Sequence, residues 1–139
     1  MKSALKFIDY IVDEVNFKNK YIDSDDFNIE FDINTDVVFN GENNFILKLG
    51  MDIFKNQKEA PFEMSVSVVG IFEIGDIEEN LKQEFAEKNS VAILFPYVRA
   101  LVSNYTAMAN VNPLILPPIN VVKYIEDKKA MKAKEGELA

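Results

Sequence analysis

The chain has 139 residues, a formal charge of −8, 48% hydrophobic and 27% charged residues, and no Cys or His; that length holds one hydrophobic core comfortably and not two. Without Cys and His there are no disulfides, thiol nucleophiles, Cys/His zinc sites or histidine general bases, and the acidic balance argues against a protein that binds by neutralising phosphates. Acidity serves solubility or a basic partner.

No apolar run nears the roughly 20 residues of a membrane span. The opening segment is interrupted by Asp9, Asp13 and Glu14 and lacks the apolar centre of a signal peptide. A cytoplasmic location is therefore expected.

Residues 4 to 18 fit two patterns. Leu5, Ile8, Val12 and Val15 recur at helical spacing, whereas Leu5, Phe7, Val15 and Phe17 fit a strand with a phase slip near Tyr10 to Val12. From Lys18 to Asp26 the chain reads as a polar loop with Tyr21 and Ile22 as its large apolar residues. Phe27, Ile29, Phe31 and Ile33 then alternate with Asn28, Glu30, Asp32 and Asn34, as in a strand with one wet face. The turn chemistry of Gly41 to Asn44 precedes a second alternation from Phe45 to Ile53, and a polar turn precedes a third from Phe62 to Phe72. Three strands with short connections make an antiparallel meander, and the first segment can supply a fourth.

Asp76 is expected to start a short acidic helix with Ile77, Leu81 and Phe85 on one side. Asn89 and Ser90 are expected to end it and cap a main helix, with Pro96 near its start and Val98, Leu101, Val102, Tyr105, Met108 and Ala109 on one face. Pro113, Pro117 and Pro118 exclude helix beyond that and leave Leu114, Ile115 and Leu116 in an apolar loop. Asn120 caps a final helix with Val121, Val122, Tyr124 and Ile125 facing inward, and residues 127–139 lose their apolar face and are expected to fray. The expected architecture is α+β in a single domain, 1–139: a four-stranded antiparallel sheet with two principal helices on one face.

The residues make no positive case for an enzyme, a metal or a cofactor. Asp23, Asp25, Asp26, Glu30, Asp32 and Asp36 cluster without a Lys or Arg among them, but they lack calcium-loop spacing and read as a solvated acidic face. Glycines are scattered singly, and Ser103, Tyr105 and Thr106 have no base to activate them. Arg99, the single arginine, suits an ion pair at a surface or across an interface. The remaining signal is the proline-stiffened apolar loop. Leu114, Ile115, Leu116 and Ile119 either pack under the final helix, with Tyr21 and Phe27 as core or rim, or are offered to another molecule.

The segment LFPYVRALVSNYTAMANVNPLILPPINV, from Leu94 to Val122, resembles the bacterial export chaperone SecB family, in which an LFPYAR-type start, a helix, a proline-bearing connector and an APVNF-type restart occur in that order. Gly70-Ile71-Phe72 resembles the same family's GIF motif. The resemblance implies that the first segment is a strand and that the chain is an ATP-independent chaperone holding unfolded polypeptides, preproteins for export among them. The grooves it implies beside the connector would be lined by Tyr21, Phe27, Leu114, Ile115, Leu116 and Ile119. It also implies a homotetramer, a dimer of dimers with sheets outward, for which Val98, Leu101, Val102 and Tyr105 are the expected seam. Docking of the SecA motor would use acidic residues on the outer sheet face, of which only Glu14 is carried over directly, Lys18 standing at the next acidic position. Glu63 and Ser65 fall at the two positions of the third strand, the second of which is usually acidic, so Glu14 and Glu63 are the candidates. Asp25 replaces an aromatic common in the loop before the second strand. Two other readings remain: a SecB-like chaperone dedicated to one client such as an antitoxin, and an adaptor that binds one folded partner.

Overall fold

The computed structural model describes residues 4–23, 28–116 and 119–138. Strands β1 (Leu5–Asn19), β2 (Phe31–Phe39), β3 (Asn44–Ile53) and β4 (Phe62–Ile74) form one antiparallel sheet in the order β1-β4-β3-β2. Helix α1 (Lys82–Met108) crosses it and touches all four strands, while α2 (Val121–Leu138) packs on α1 and reaches β2 through Tyr124 and Lys128.

Period-two alternation decides which face is covered. Phe45, Leu47, Leu49, Met51 and Ile53 of β3 and the matching residues of β4 are buried beneath α1, and Lys48, Asp52, Glu63 and Ser65 lie on the outer face. A ladder of rings runs across all four strands: Phe7, Phe72, Phe45 and Phe39, each 5.2 Å from the next. Such cross-strand aromatic pairs fix register as well as adding buried area. β1 takes the strand alternative, and its phase slips twice against β4, between Phe7 and Asp9 and between Val12 and Glu14. These bulges flank the predicted slip.

Gly70 sits where α1 crosses β4. A Cβ there would lie 2.6 Å from Phe72 Cε2 and 3.1 Å from Leu94 Cδ2, and the Phe72 ring is held between Phe7 and Phe45. Gly70→Ala is therefore expected to lower stability by about 1–3 kcal/mol, read from the midpoint of urea unfolding; an unchanged midpoint would show that the crossing has slack.

Several expectations are corrected. Asn89 and Ser90 do not break the helix. Both side chains bond back one turn, Asn89 Nδ2 to the Phe85 carbonyl at 3.0 Å and Ser90 Oγ to the Ala86 carbonyl, which satisfies a buried hydroxyl inside a continuous helix. One helix thus replaces two, preceded by a short 3₁₀ turn at Glu79–Leu81. Pro96 falls deep inside α1, on its exposed side, rather than near its start. β2 starts at Phe31, later than the alternation suggested, and runs on to Phe39. Separately, α2 extends to Leu138, with Lys128 and Lys129 tied to Asp32 and Glu87. Asn120 caps α2 as expected, its Oδ1 accepting the Lys123 N–H at 3.1 Å.

Candidate functional site

At the end of the sheet where β1 stops and β4 begins, α1 ends and the connector leaves it. Phe17 and Phe54 each pack 5.2 Å from Phe62, and Tyr105 closes the cluster from α1 at 5.5 Å from Phe17. Phe54 and Phe62, both buried, form the floor of an open trough of about 700 Å³. Its walls are Tyr21 and Ile22 on one side, Ile29 beside them, and Val111, Pro113 and Ile115 of the connector opposite. A cleft with an apolar floor and a few polar rim groups is the usual form of a binding site. The rim here is Asn19, Asp23, Asn110 and Asn112, so among the described residues Asp23 is the one charged group in the lining.

Three lining residues, Tyr21, Phe54 and Asn110, take φ near +60° without being glycine, a conformation that costs roughly 1–2 kcal/mol per residue. Each turns the chain at the border of the trough. Asn110 follows the helix C-cap, where asparagine tolerates this geometry, and redirects the connector across the sheet end. Lys20 is pinned by its N–H to the Pro61 carbonyl at 3.0 Å and its Nζ to the Gln57 carbonyl at 2.6 Å. Tyr21, next along, is thrown outward and is 90% exposed.

The connector is held by two hydroxyls of α1. Thr106 Oγ1 donates to the Val102 carbonyl and accepts the Leu114 N–H, both at 2.9 Å, while Ser103 Oγ donates to the Leu114 carbonyl at 3.1 Å. Both backbone groups of Leu114 are thus satisfied by side chains, since the prolines leave no ladder to do it. Leu114 and Leu116 point inward and Ile115 outward, 71% exposed.

The expected groove residues therefore separate. Tyr21 and Ile115 stand open at the trough, Leu114 lies beneath its wall, and Leu116 at 1% exposed belongs to the core. Ile119 is half-buried against the core, and Phe27 lies outside the described residues. The seam residues separate too. Val98 and Val102 are on the sheet-facing stripe of α1, fully buried within the chain, while Leu101 and Tyr105 are half-buried. Ile29, Phe54 and Phe62 join the site without having been singled out, and Ser103 and Thr106 have a task other than the nucleophilic one considered for them. Hydroxyls in the last turns of a helix before a proline-rich segment were the available signal.

A model of the family described as preprotein translocase subunit SecB matches residues 7–132. The chain belongs to the SecB family. Among its relatives, an uncharacterized protein of Methanocaldococcus jannaschii is 40% identical over 98% of this chain and 92% of its own length. Protein-export protein SecB 1 of Francisella tularensis is 30% identical over 86% of this chain and 79% of its own. In fold, the chain is similar to a SecB-like chaperone of Mycobacterium tuberculosis solved with a peptide from an antitoxin, at TM-score 0.67 and 15% identity, covering 84% of this chain and 88% of that one. The SecB-like fold expected from the sequence is thus the fold observed.

In this SecB-family chain the acidic run after β1 does not remain purely solvated. Lys128 Nζ lies 2.8 Å from Asp32 Oδ1, and Tyr124 OH donates to the same oxygen at 3.0 Å. Burial pushes the Asp32 carboxyl up, but these hydrogen bonds and the Lys128 charge outweigh it and hold it below its ordinary value. The Tyr124 hydroxyl is pushed up, first by burial and then by the Asp32 carboxylate it donates to, against the bond to Ile33. Lys88 to Glu126 at 3.2 Å and Lys129 to Glu87 tie the two helices together.

Glu14 and Glu63, the carboxylates matched to motor docking, lie on the outer face opposite Ser67 and Lys18. Glu63 is bridged to Lys20 at 3.4 Å. Among the described residues no group of three His, Cys, Asp or Glu side chains is placed to hold a metal, and no helix is long and apolar enough to cross a membrane.

Proposed function

We propose that this SecB-family protein is an ATP-independent, non-enzymatic chaperone that holds extended, non-native polypeptides, preproteins for export among them, in the trough between Tyr21 and Ile115. The observation that carries this reading is an open cleft with an apolar floor, from whose walls two large apolar residues, Tyr21 and Ile115, stand 90% and 71% exposed. Burying on the order of 1,000 Å² of client surface gains about 25 kcal/mol gross, and most of it is offset by ordering a flexible chain. Binding is then modest, sequence-tolerant and reversible.

Assembly into a homotetramer belongs to the same reading. Between Lys88 and Lys123 the sole charged residue is Arg99, although the outward side of α1 carries Ala92, Pro96, Ala100, Asn104 and Ala107 in exposed positions. Along the free edge strand β1, Ile8, Tyr10, Ile11 and Val12 are 41–55% exposed. An uncharged helix face and an apolar sheet edge both favour self-association. With Val98 and Val102 committed to the core, Leu101 and Tyr105 are the parts of the expected seam left to assign to it. For the motor SecA, Glu14 is the contact we assign, since its carboxylate accepts from the neutral Asn16 amide whereas Glu63 is already ion-paired to Lys20. Several troughs on one particle raise avidity by making later contacts intramolecular.

The test is suppression of aggregation of several unrelated, chemically unfolded proteins without nucleotide, followed by light scattering at stoichiometric amounts of the protein. All should be protected; protection of none, with capture of one folded protein, would instead make it an adaptor.

A further inference from the structure

The turn at residues 40–44 joins β2 to β3 at the end of the sheet opposite the trough, and it holds the chain's one Asn-Gly pair, Asn40-Gly41. Asparagine is thermolabile because its Cγ lies within reach of the next residue's backbone nitrogen. A five-membered ring closes between them when that residue is small, its N–H is free and the carboxamide can turn. All three conditions meet at Asn40. Gly41 has no side chain to crowd the approach, and even a Cβ built there would meet nothing nearer than Asn44 Nδ2, at 3.6 Å. Its φ of +152° is one that glycine adopts without strain. Both residues are exposed, and among the described residues the Gly41 N–H has no acceptor and the Asn40 carboxamide no hydrogen-bond partner. The far half of the turn is anchored: Lys82 Nζ reaches the Glu42 carbonyl and Asn43 Oδ1 at 3.2 Å each, and the Asn43 carbonyl accepts Ile74 N–H at 2.7 Å. The Asn40-Gly41 half is the less restrained. No other asparagine precedes a glycine. The carboxamides of Asn19, Asn34, Asn43, Asn89 and Asn120 are each held in a hydrogen bond, and Asn112 precedes Pro113, which has no N–H to lose.

We propose that Asn40 is a self-modification site, at which the Gly41 nitrogen converts the carboxamide to a carboxylate and leaves part of the chains in the isoaspartyl form. The Gly41 nitrogen gives its proton to solvent base and bonds to Asn40 Cγ. The Cγ–Nδ2 bond breaks, and Nδ2 takes a proton from water and leaves as ammonia. Water then adds to one of the two ring carbonyls and the bond from that carbon to nitrogen opens. Opening at Cγ restores the ordinary backbone with aspartate at position 40; opening at the main-chain carbonyl routes the chain through the side chain. Nothing is oxidised or reduced, and water is the co-reactant. Either product adds a negative charge beside Glu42. Isoaspartate also lengthens the main chain next to the Phe39–Phe45 ring pair that ends the aromatic ladder. The change falls at the sheet end away from Tyr21 and Ile115, so it marks the age of the molecule while leaving the trough intact.

The experiment holds the full chain at 37 °C and at pH 8 or pH 6, digests it with pepsin at low pH, and scores each asparagine by fragment mass, conversion adding about one dalton. Aspartate and isoaspartate are separated against synthetic peptides. Asn40 should convert about tenfold ahead of any other asparagine, give both products, and react at least tenfold faster at pH 8, where more of the Gly41 nitrogen is deprotonated. Gly41→Ala should slow the conversion about tenfold. If that variant does not fold, the product mixture and the pH dependence of the unsubstituted protein decide. An Asn40 that stays intact or follows another asparagine, aspartate as the sole product, or a rate indifferent to pH would each overturn the inference.

Discussion

Leu116→Asp is expected to destabilise the protein by about 3–5 kcal/mol, whereas Ile115→Asp, one residue away, is expected to leave stability unchanged and weaken client capture about 30-fold. Leu116 is 1% exposed, and a carboxylate there meets neither water nor a partner while the leucine side chain it replaces leaves a void. Such a loss removes much of the 5–15 kcal/mol that keeps a domain folded. Ile115 is 71% exposed and packs on little in the free protein, so the charge costs nothing until a client arrives. Losing roughly 2 kcal/mol of apolar burial in the complex corresponds to that factor in Kd. Urea unfolding and titration with a fluorescently labelled unfolded probe separate the two. If Leu116→Asp stays folded and Ile115→Asp binds as before, the connector is not the trough wall.

Thr106→Val should lower stability by about 1–3 kcal/mol although it changes neither side-chain volume nor branching. Its Oγ1 is fully buried with the residue and is the acceptor for the Leu114 N–H; valine leaves that donor unpaired in the interior, which is the costly half of deleting a hydrogen bond. The Val102 carbonyl that Oγ1 also contacts lies within the helix and loses less. The loss should localise. Exchange at Leu114 should rise well before the sheet amides, and client capture should fall with it, because Ile115 is presented only while Leu114 is anchored. Ser103→Ala should show the same pattern at smaller size, its partner being the Leu114 carbonyl at 3.1 Å. A uniform loss of protection across the sheet, with capture unaffected, would deny the connector its separate anchorage.

The parts of the fold legible in the sequence were those governed by short-range periodicity. The alternations in β3 and β4, the turn at Gly41–Asn44, the exclusion of helix around Pro113 and the cap at Asn120 are each decided by neighbours within a few residues. Even so, Asn89 and Ser90 misled, because side chains that bond back one turn look in sequence like side chains that end one. β1 was decided by resemblance, since an edge strand with two bulges carries a mixed pattern. Tyr21 and Ile115 were marked for the trough; Leu116 was marked with them although it serves the core.

What the sequence by itself determined about this protein is an acidic α+β domain without Cys or His, a meander of strands, and an apolar connector that cannot form a regular ladder. Only the tertiary structure decided which connector residues face water, that Phe54 and Phe62 floor the trough, and that Lys128 and Tyr124 close on Ile33 and Asp32. The last of these depends on partners 91 to 96 positions apart, and all three are set by how α1, the connector and α2 settle on the sheet. No local pattern carries that information.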